Sequence, residues 1–309
     1  MGDPSGIGPE VAVKALASRK ISRLADFLFV GDRAVIERAC RGAGVRLASG
    51  IGIVDLANVP RKDFSYGSSR PSYGRASVEY LDRAIDLIRS GRARALVTAP
   101  INKGSVISSG LSGFEGHTEY LAEHTGSGNV AMMFVGKKLK ATLVTRHIPL
   151  GEVSRKLSTR SVLAVIMTTH IYLKKFFGIR SPEIGVAGLN PHAGENGLFG
   201  KEEERVIIPA IKAASKKIGG VSGPASPDVI FYDACRGRYD AVVAMYHDQA
   251  LIPFKLLYFR NGVNLSLGLP FVRTSPDHGT AFDIAGKGIA DPASMEEAIR
   301  LACRLSSKK

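Results

Sequence analysis

Short apolar runs alternate along the chain with stretches of helical period. Residues 26–31, 50–56, 95–99, 130–135, 141–145, 184–189 and 240–246 form runs that read as buried strands. Between them a 3.6-residue repeat predicts helices. One lies near 76–90, with Val78, Leu81, Ile85 and Ile88 on one face and Gly91 as the stop. Another lies near 201–218, with Val206, Ile207, Ala210, Ile211, Ala214 and Ile218 inward; a last one, near 292–305, opens at Pro292 with Glu296 and Glu297 in its early turns. Strand–helix alternation predicts an α/β protein with a largely parallel sheet. The run 129–146 carries Gly136-Lys137-Lys138 between two apolar stretches, which predicts an antiparallel hairpin and hence a partly mixed sheet. The Gly/Ser/Pro cluster at 219–227 reads as a loop, and 267–292, rich in glycine and small residues, as a long functional loop.

The 309 residues suit one large or two medium domains and a sizeable core. At 45% hydrophobic and 23% charged, the composition excludes a disordered or collagen-like chain. No window approaches the roughly 18 apolar residues of a membrane span, and the start at Met1-Gly2-Asp3-Pro4 shows neither a secretory nor a myristoylation signal. Cys40, Cys235 and Cys303 are far apart and without a CxxC, which argues against a disulfide framework or a thiolate metal site and suits a reducing cytoplasm. The net charge of +14 raises the question of nucleic acid. The basic residues, however, are dispersed in pairs such as Lys137-Lys138, Lys174-Lys175, Lys216-Lys217 and Lys308-Lys309, with no nucleic-acid motif among them. They read as solvated helix faces or as a basic cleft for anionic substrates.

In open α/β sheets, ligands bind beyond the carboxyl ends of strands. After 95–99 come Pro100-Ile101-Asn102-Lys103, and after 141–145 come Arg146-His147. After 184–189 come Asn190-Pro191-His192, and after 240–246 come His247-Asp248-Gln249. Three strands thus end in a histidine within three residues. Three imidazoles with a carboxylate make a divalent-metal site that keeps positions open for substrate, if the fold brings them together. His124 and His170 lie inside helical patterns and read as structural or surface residues. His117-Thr118-Glu119 opens a predicted helix after Gly116, where free N–H groups, a hydroxyl and an imidazole suit a phosphate; a plain cap by Thr118 is the plainer reading. Lys255, Asn264 and Arg273 add donors for phosphate or carboxylate. Residues 2–10, GDPSGIGPE, form a Gly-rich turn into a helix, but the chain has neither GxGxxG nor GxxxxGK[ST].

Together, GDPSGIGPEV (2–11), TAPINK (98–103), GHTEYLA (116–122), LNPHAGENGLFGKEE (189–203), YHDQALIPFK (246–255) and GLPFVRTSPDHGTAFDIAGKG (268–288) resemble the 4-hydroxythreonine-4-phosphate dehydrogenase family of pyridoxal phosphate biosynthesis. The resemblance spans nearly the whole chain. The loop HGTAFDIAGKGIADP is also similar to the adenosine-binding loop of isopropylmalate and isocitrate dehydrogenases, which bind NAD without a GxGxxG.

The resemblance implies a two-domain α/β fold of the isopropylmalate-dehydrogenase type. A cofactor-side domain would comprise 1–112 plus 274–309, and a metal, substrate and dimerisation domain 113–273. It implies a cytoplasmic homodimer with an interdomain active site shared between subunits, and no nucleic-acid or membrane partner. NAD or NADP would lie against Asp277, His278, Gly279, Thr280 and Asp283. A divalent ion (Zn, Mg or Co) would sit on His147, His192 and His247, with Asp228 and Asp248 near it. Substrate contacts would be His117, Thr118, Lys255, Asn264 and Arg273, with Asp248 and Lys103 as catalytic residues; a metal-bound water is an alternative base. The implied reaction is oxidation at C3 of 4-phosphooxy-L-threonine, then decarboxylation to 3-amino-2-oxopropyl phosphate. Alternatives are a 4-phospho-D-threonate or 4-phospho-D-erythronate dehydrogenase of sugar-acid catabolism, and a metal-dependent phosphohydrolase or acyl-phosphate transferase. Leu251 and Pro276 lean toward the first reaction. Two departures stand out. The family has a strand ahead of the GDP turn, where this sequence starts at Met1, and it has Gly where Ala250 stands, which would strain Ala if the backbone there had positive φ.

Overall fold

The computed structural model describes residues 1–60 and 62–307, so the Lys308-Lys309 pair lies outside the described residues. The chain runs α1 (Gly8–Ala17), α2 (Arg19–Ser22), β1 (Leu28–Gly31), α3 (Arg33–Ala43), β2 (Gly52–Asp55), α4 (Pro71–Arg89), β3 (Ala95–Val97), α5 (Lys103–Ser108) and α6 (His117–Thr125). It continues through β4 (Ala131–Val135), β5 (Lys140–Leu143), α7 (Val153–Lys156), α8 (Thr159–Tyr172), β6 (Ile184–Ala187), α9 (Ile208–Ser215), β7 (Val221–Ala225), α10 (Pro227–Cys235), β8 (Ala241–Ala244), α11 (His247–Tyr258) and β9 (Val263–Leu267). It ends with β10 (Val272–Pro276) and α12 (Ala293–Ser306). Two compact units result: Met1–Gly126 with Pro270–Ser307, and Ser127–Leu269. All seven strands expected from apolar runs form.

In the first unit β1 pairs with β2 and β3 with β10, both in parallel. Val11, Val13, Ile21, Phe29, Ile36, Met295 and Ile299 build its main core. Fully burying each such aliphatic or aromatic side chain contributes about 1.5–3 kcal/mol. A cavity of about 600 Å³ lies in this unit, lined by Leu28, Phe29 and Val30 of β1, by Ala95, Leu96 and Val97 of β3, and by Met1 and Gly2. Helix α4 begins at Pro71, earlier than the expected residue 76, because Pro71 in the first turn fits the helix's fixed φ and needs no N–H partner.

The second unit has strand order β9-β4-β5-β8-β6-β7. β4 is antiparallel to both β5 and β9, as the 129–146 hairpin requires, and β5, β8, β6 and β7 are parallel. The strands β6 and β8 are buried throughout, in line with their continuous apolar runs. Two expectations fail here. The 219–227 segment contains β7, an edge strand that pairs on one side only and so accommodates Gly223 and Pro224. The 267–292 segment contains β10, a strand of the first unit with buried polar residues: Thr274 Oγ1 donates to Ala298 O at 2.8 Å and Arg273 Nη2 to Thr98 Oγ1 at 2.6 Å. The expected helix 201–218 forms, opening with a single π turn, Glu203–Ile207, that runs directly into α9. Ala250 lies buried within α11 and is absent from the residues with positive φ, so the Gly-to-Ala departure brings no backbone strain.

Candidate functional site

Three histidines leave the carboxyl ends of three adjacent parallel strands, β5, β8 and β6. The register explains how the first two meet. Thr142 stands opposite Val243 and Leu143 opposite Ala244. The pairing then runs on past the strands, Val144 N donating to Ala244 O at 2.9 Å and Thr145 N to Met245 O at 3.1 Å. His147 and His247 are therefore carried side by side, with ring centroids 5.8 Å apart. Asp248 Oδ1 lies 2.6 Å from His247 Nδ1. A carboxylate there fixes the ring's tautomer and leaves Nε2 as the lone-pair donor, the usual arrangement behind a metal-bound imidazole. The donor chemistry of this pair fits a divalent ion. Among the described residues no group of three His, Cys, Asp or Glu side chains is close enough to hold one.

His192 follows β6 in an unusual turn. His192, Ala193, Gly194, Glu195 and Asn196 have φ of 52°, 52°, 80°, 41° and 55°. For residues with a Cβ, this left-handed conformation costs about 1–2 kcal/mol each. Such strain persists only where surrounding contacts hold it, and it concentrates at functional sites. The exposed His192 ring faces Phe199, with centroids 6.1 Å apart, and its charge helps draw down the Asp228 carboxyl pKa, behind the larger effect of the Ser226 hydroxyl. Gln249, buried in α11, ties the strand ends together: its Oε1 accepts from Met245 N and its Nε2 donates to Gly188 O, both at 2.7 Å. In the same unit, Lys255 Nζ lies 5.6 Å from the centroid of the Phe259 ring. Asn264 on β9 has a buried Oδ1 without a hydrogen-bond partner among the described residues.

The first unit gathers cationic groups at the start of α6. Gly116, with φ of 150°, precedes the helix, and a Cβ there would come within 4 Å of Lys103 Cε and Nζ. Lys103 opens α5, where the Asn102 carboxamide caps the helix by accepting from Ser105 N at 2.7 Å. Thr118 is buried in the first turn of α6. Arg273 is only 3% exposed, and burial pushes its pKa down to about 10 against the pull of Glu119. His117 titrates well below its ordinary value, through burial first, then Arg273, the N-terminal amine and Lys103. A neutral imidazole, a buried guanidinium and a helix N-terminus are the kinds of donor a phosphate takes.

The 277–290 loop is seated on the GDPSGIGPE segment. Ile7 N donates to Thr280 O at 2.9 Å, and a Cβ on Gly6 would lie 3.0 Å from Thr280. Glu10 Oε1 accepts from Ala290 N at 2.7 Å and Oε2 from Gly288 N at 3.2 Å, while Lys14 Nζ donates to both carbonyls at 2.8 Å. Asp277 N donates to Ser294 Oγ at 3.0 Å, and His278 Nδ1 lies 3.1 Å from Gly279 O. Gly279 has open space where a Cβ would stand, and Asp283 is exposed. Glycine backbone and an exposed carboxylate are groups of the kind that take the ribose of a nicotinamide cofactor.

The sequence pattern of the family "pyridoxal phosphate biosynthetic protein PdxA" matches residues 23–302. The chain belongs to this family. The 4-hydroxythreonine-4-phosphate dehydrogenase of Desulforapulum autotrophicum is 45% identical to it over 98% of this chain and 93% of that protein. The D-threonate 4-phosphate dehydrogenase of Cupriavidus necator is 44% identical over 100% of this chain and 96% of its own. The crystal structure of the Klebsiella pneumoniae 4-hydroxythreonine-4-phosphate dehydrogenase superimposes with a TM-score of 0.88 at 39% identity, covering 99% and 98% of the two chains. As a PdxA-family member the chain is an oxidoreductase. No helix among its described residues is long and apolar enough to cross a membrane.

Three residues that sequence reasoning did not single out do structural work for this family member. They are Glu10 and Lys14, which hold the 277–290 loop, and Glu203, which lies under the left-handed turn. Glu203 left a signal: it continues the inward face of Ile207, Ala210 and Ala214, a carboxylate where an apolar residue belongs.

Proposed function

We propose that the chain oxidises the C3 hydroxyl of 4-phosphooxy-L-threonine and yields 3-amino-2-oxopropyl phosphate and CO2. His147 and His247, joined by His192, hold the divalent ion; Asp277, His278, Gly279, Thr280 and Asp283 hold NAD or NADP. A divalent ion there supplies positive charge to the C3 oxygen and the departing carboxylate, and a nicotinamide supplies the hydride acceptor. Asp248 orients His247 through one oxygen and takes the C3 hydroxyl proton with the other. Lys103 returns a proton to C2 after the carboxylate leaves. Arg273, His117 and Thr118 bind the phosphate, and Lys255 and Asn264 the remaining polar groups. Neutral His117 donates an N–H without adding charge, and buried Arg273 carries the compensating cation.

The reading is carried by one observation: a match along 98% of the chain to a relative of that name. A second reading has its own support, since a D-threonate 4-phosphate dehydrogenase is 44% identical over the full chain. It exchanges the substrate's amine for a hydroxyl. We further infer a homodimer, because α11 and the residue after it leave Ile252, Leu256 and Phe259 70%, 86% and 77% exposed on one stripe. The test is to supply both phosphorylated substrates with NAD and a divalent ion and follow the near-ultraviolet absorbance of reduced nicotinamide. Faster reduction with the amino acid supports the first reading, and faster reduction with the hydroxy acid supports the second. Phosphate release without reduction contradicts both.

A further inference from the structure

We propose that Glu203 is the positioning residue for His192, its buried carboxylate folding the left-handed turn that presents the imidazole; the functional part of this rests on His192 being a ligand of the ion.

Glu203 is 2% exposed. Its Oε1 accepts from Leu189 N at 2.7 Å and from Asn190 N at 2.8 Å, and its Oε2 accepts from Asn190 Nδ2 at 2.9 Å. Three donors from the two residues just ahead of the turn thus converge on one carboxylate. Glu202 supports the same amide: Asn190 Nδ2 also donates to Glu202 Oε2 at 2.9 Å. The carboxylate lies directly beneath the turn, because a Cβ on Gly194 would stand 2.6 Å from Glu203 Oε2. The turn closes tightly over the strand end, where a Cβ on Gly188 would stand 2.8 Å from Ala193 Cα. At the edges of the turn, Ala193 N donates to Asn190 O at 3.1 Å, and Leu198 N to Glu195 O and Phe199 N to Gly194 O at 3.2 Å. Four residues with side chains sit in a backbone region they disfavour, a conformation that persists only where surrounding contacts hold it. The carboxylate is carried by the first residue of the single π turn, Glu203–Ile207, that runs into α9. Gln249 ties the same strand end, through Gly188 O, to the helix that begins with His247. Glu203 therefore fixes the turn that carries His192 at the strand end that Gln249 links to α11.

The test uses the full chain and two readouts besides turnover: amide hydrogen exchange over residues 188–199, and the affinity for Co²⁺ alone, by competition with a chromophoric chelator. Glu203→Gln keeps the shape and one acceptor oxygen; Glu203→Ala removes the acceptor. Expected are faster exchange in both, more in Ala, and Co²⁺ binding weakened about 10–100-fold, with NAD affinity unchanged. Should Glu203→Ala fail to fold, Glu203→Gln carries both readouts. Wild-type Co²⁺ affinity in folded Glu203→Gln, when His192→Ala has lost it, overturns the proposal. If His192→Ala itself binds Co²⁺ normally, the ligand assignment fails instead. Exchange then decides alone: a loosened turn upholds the positioning role, and wild-type protection overturns it.

Discussion

Each unit of the protein sets a chemically important loop on a buried glutamate, but the two glutamates are satisfied differently. Glu10 holds the 277–290 loop together with a cation, Lys14, whose ammonium lies 2.9 Å from the carboxylate and bonds the same two residues of the loop. Glu203 holds the 189–197 turn through neutral N–H donors. The loop on Glu10 has Gly286 and Gly288 at positive φ and one strained residue, Ala281. The turn on Glu203 has four. A paired carboxylate and relaxed backbone suit a loop that admits and releases a cofactor. An unpaired carboxylate beneath strained backbone suits a ligand held in one geometry.

Experiments can break this contrast, and the largest effect belongs to the ion site. His247→Ala removes one of the two adjacent imidazoles and should lower kcat on the order of a thousandfold or more, since electrostatic help at a developing alkoxide amounts to several kcal/mol. NAD affinity, measured by calorimetry, should not move; a parallel loss would mean that the two loops do not act separately. Next is Glu10→Ala, which leaves the half-buried Lys14 without its carboxylate partner. It should cost about 3–5 kcal/mol in urea unfolding and raise the KM for NAD, with Co²⁺ affinity retained in the folded fraction. Double replacement of Glu10 and Lys14 by Met should recover part of the stability but not the KM.

Arg273→Ala comes third. Losing a buried, charge-assisted donor should raise the KM for the phosphorylated substrate about 10–100-fold, for a loss of about 1.5–3 kcal/mol. Arg273→Lys should recover little of it, because a buried fork of N–H groups is not replaced by a point charge. The smallest effect is on acid stability. His117 has a folded pKa below its ordinary 6.5, so the unfolded chain binds the extra proton. Stability is full above pH 6.5 and falls as the pH drops below it toward the folded value. The urea midpoint should decline in that window, and His117→Asn should flatten the decline.

How much of this was legible in the sequence follows from where polar groups lie. β6 and β8 are continuous apolar runs and β5 is a mostly apolar one, so their ends, and the histidines beyond them, could be read directly. β10 could not, because Arg273, Thr274 and Ser275 are buried polar residues that look like loop residues, the first two bonded to other elements. β7 was hidden by glycine and proline that an edge strand tolerates. The adjacency of His147 and His247 depends on strand order and register, which the order of elements along the chain does not encode. The left-handed turn was the least legible of all: nothing in Asn190-Pro191-His192-Ala193 announces positive φ, and its cause is a glutamate seven residues beyond its last member.

The central claim is that the histidines at the ends of β5, β6 and β8 bind one divalent ion. Anomalous diffraction from crystals soaked with Zn²⁺ tests it most directly. The account predicts a single strong peak in contact with His147, His192 and His247. A peak on other side chains, or none at saturating Zn²⁺, would contradict it.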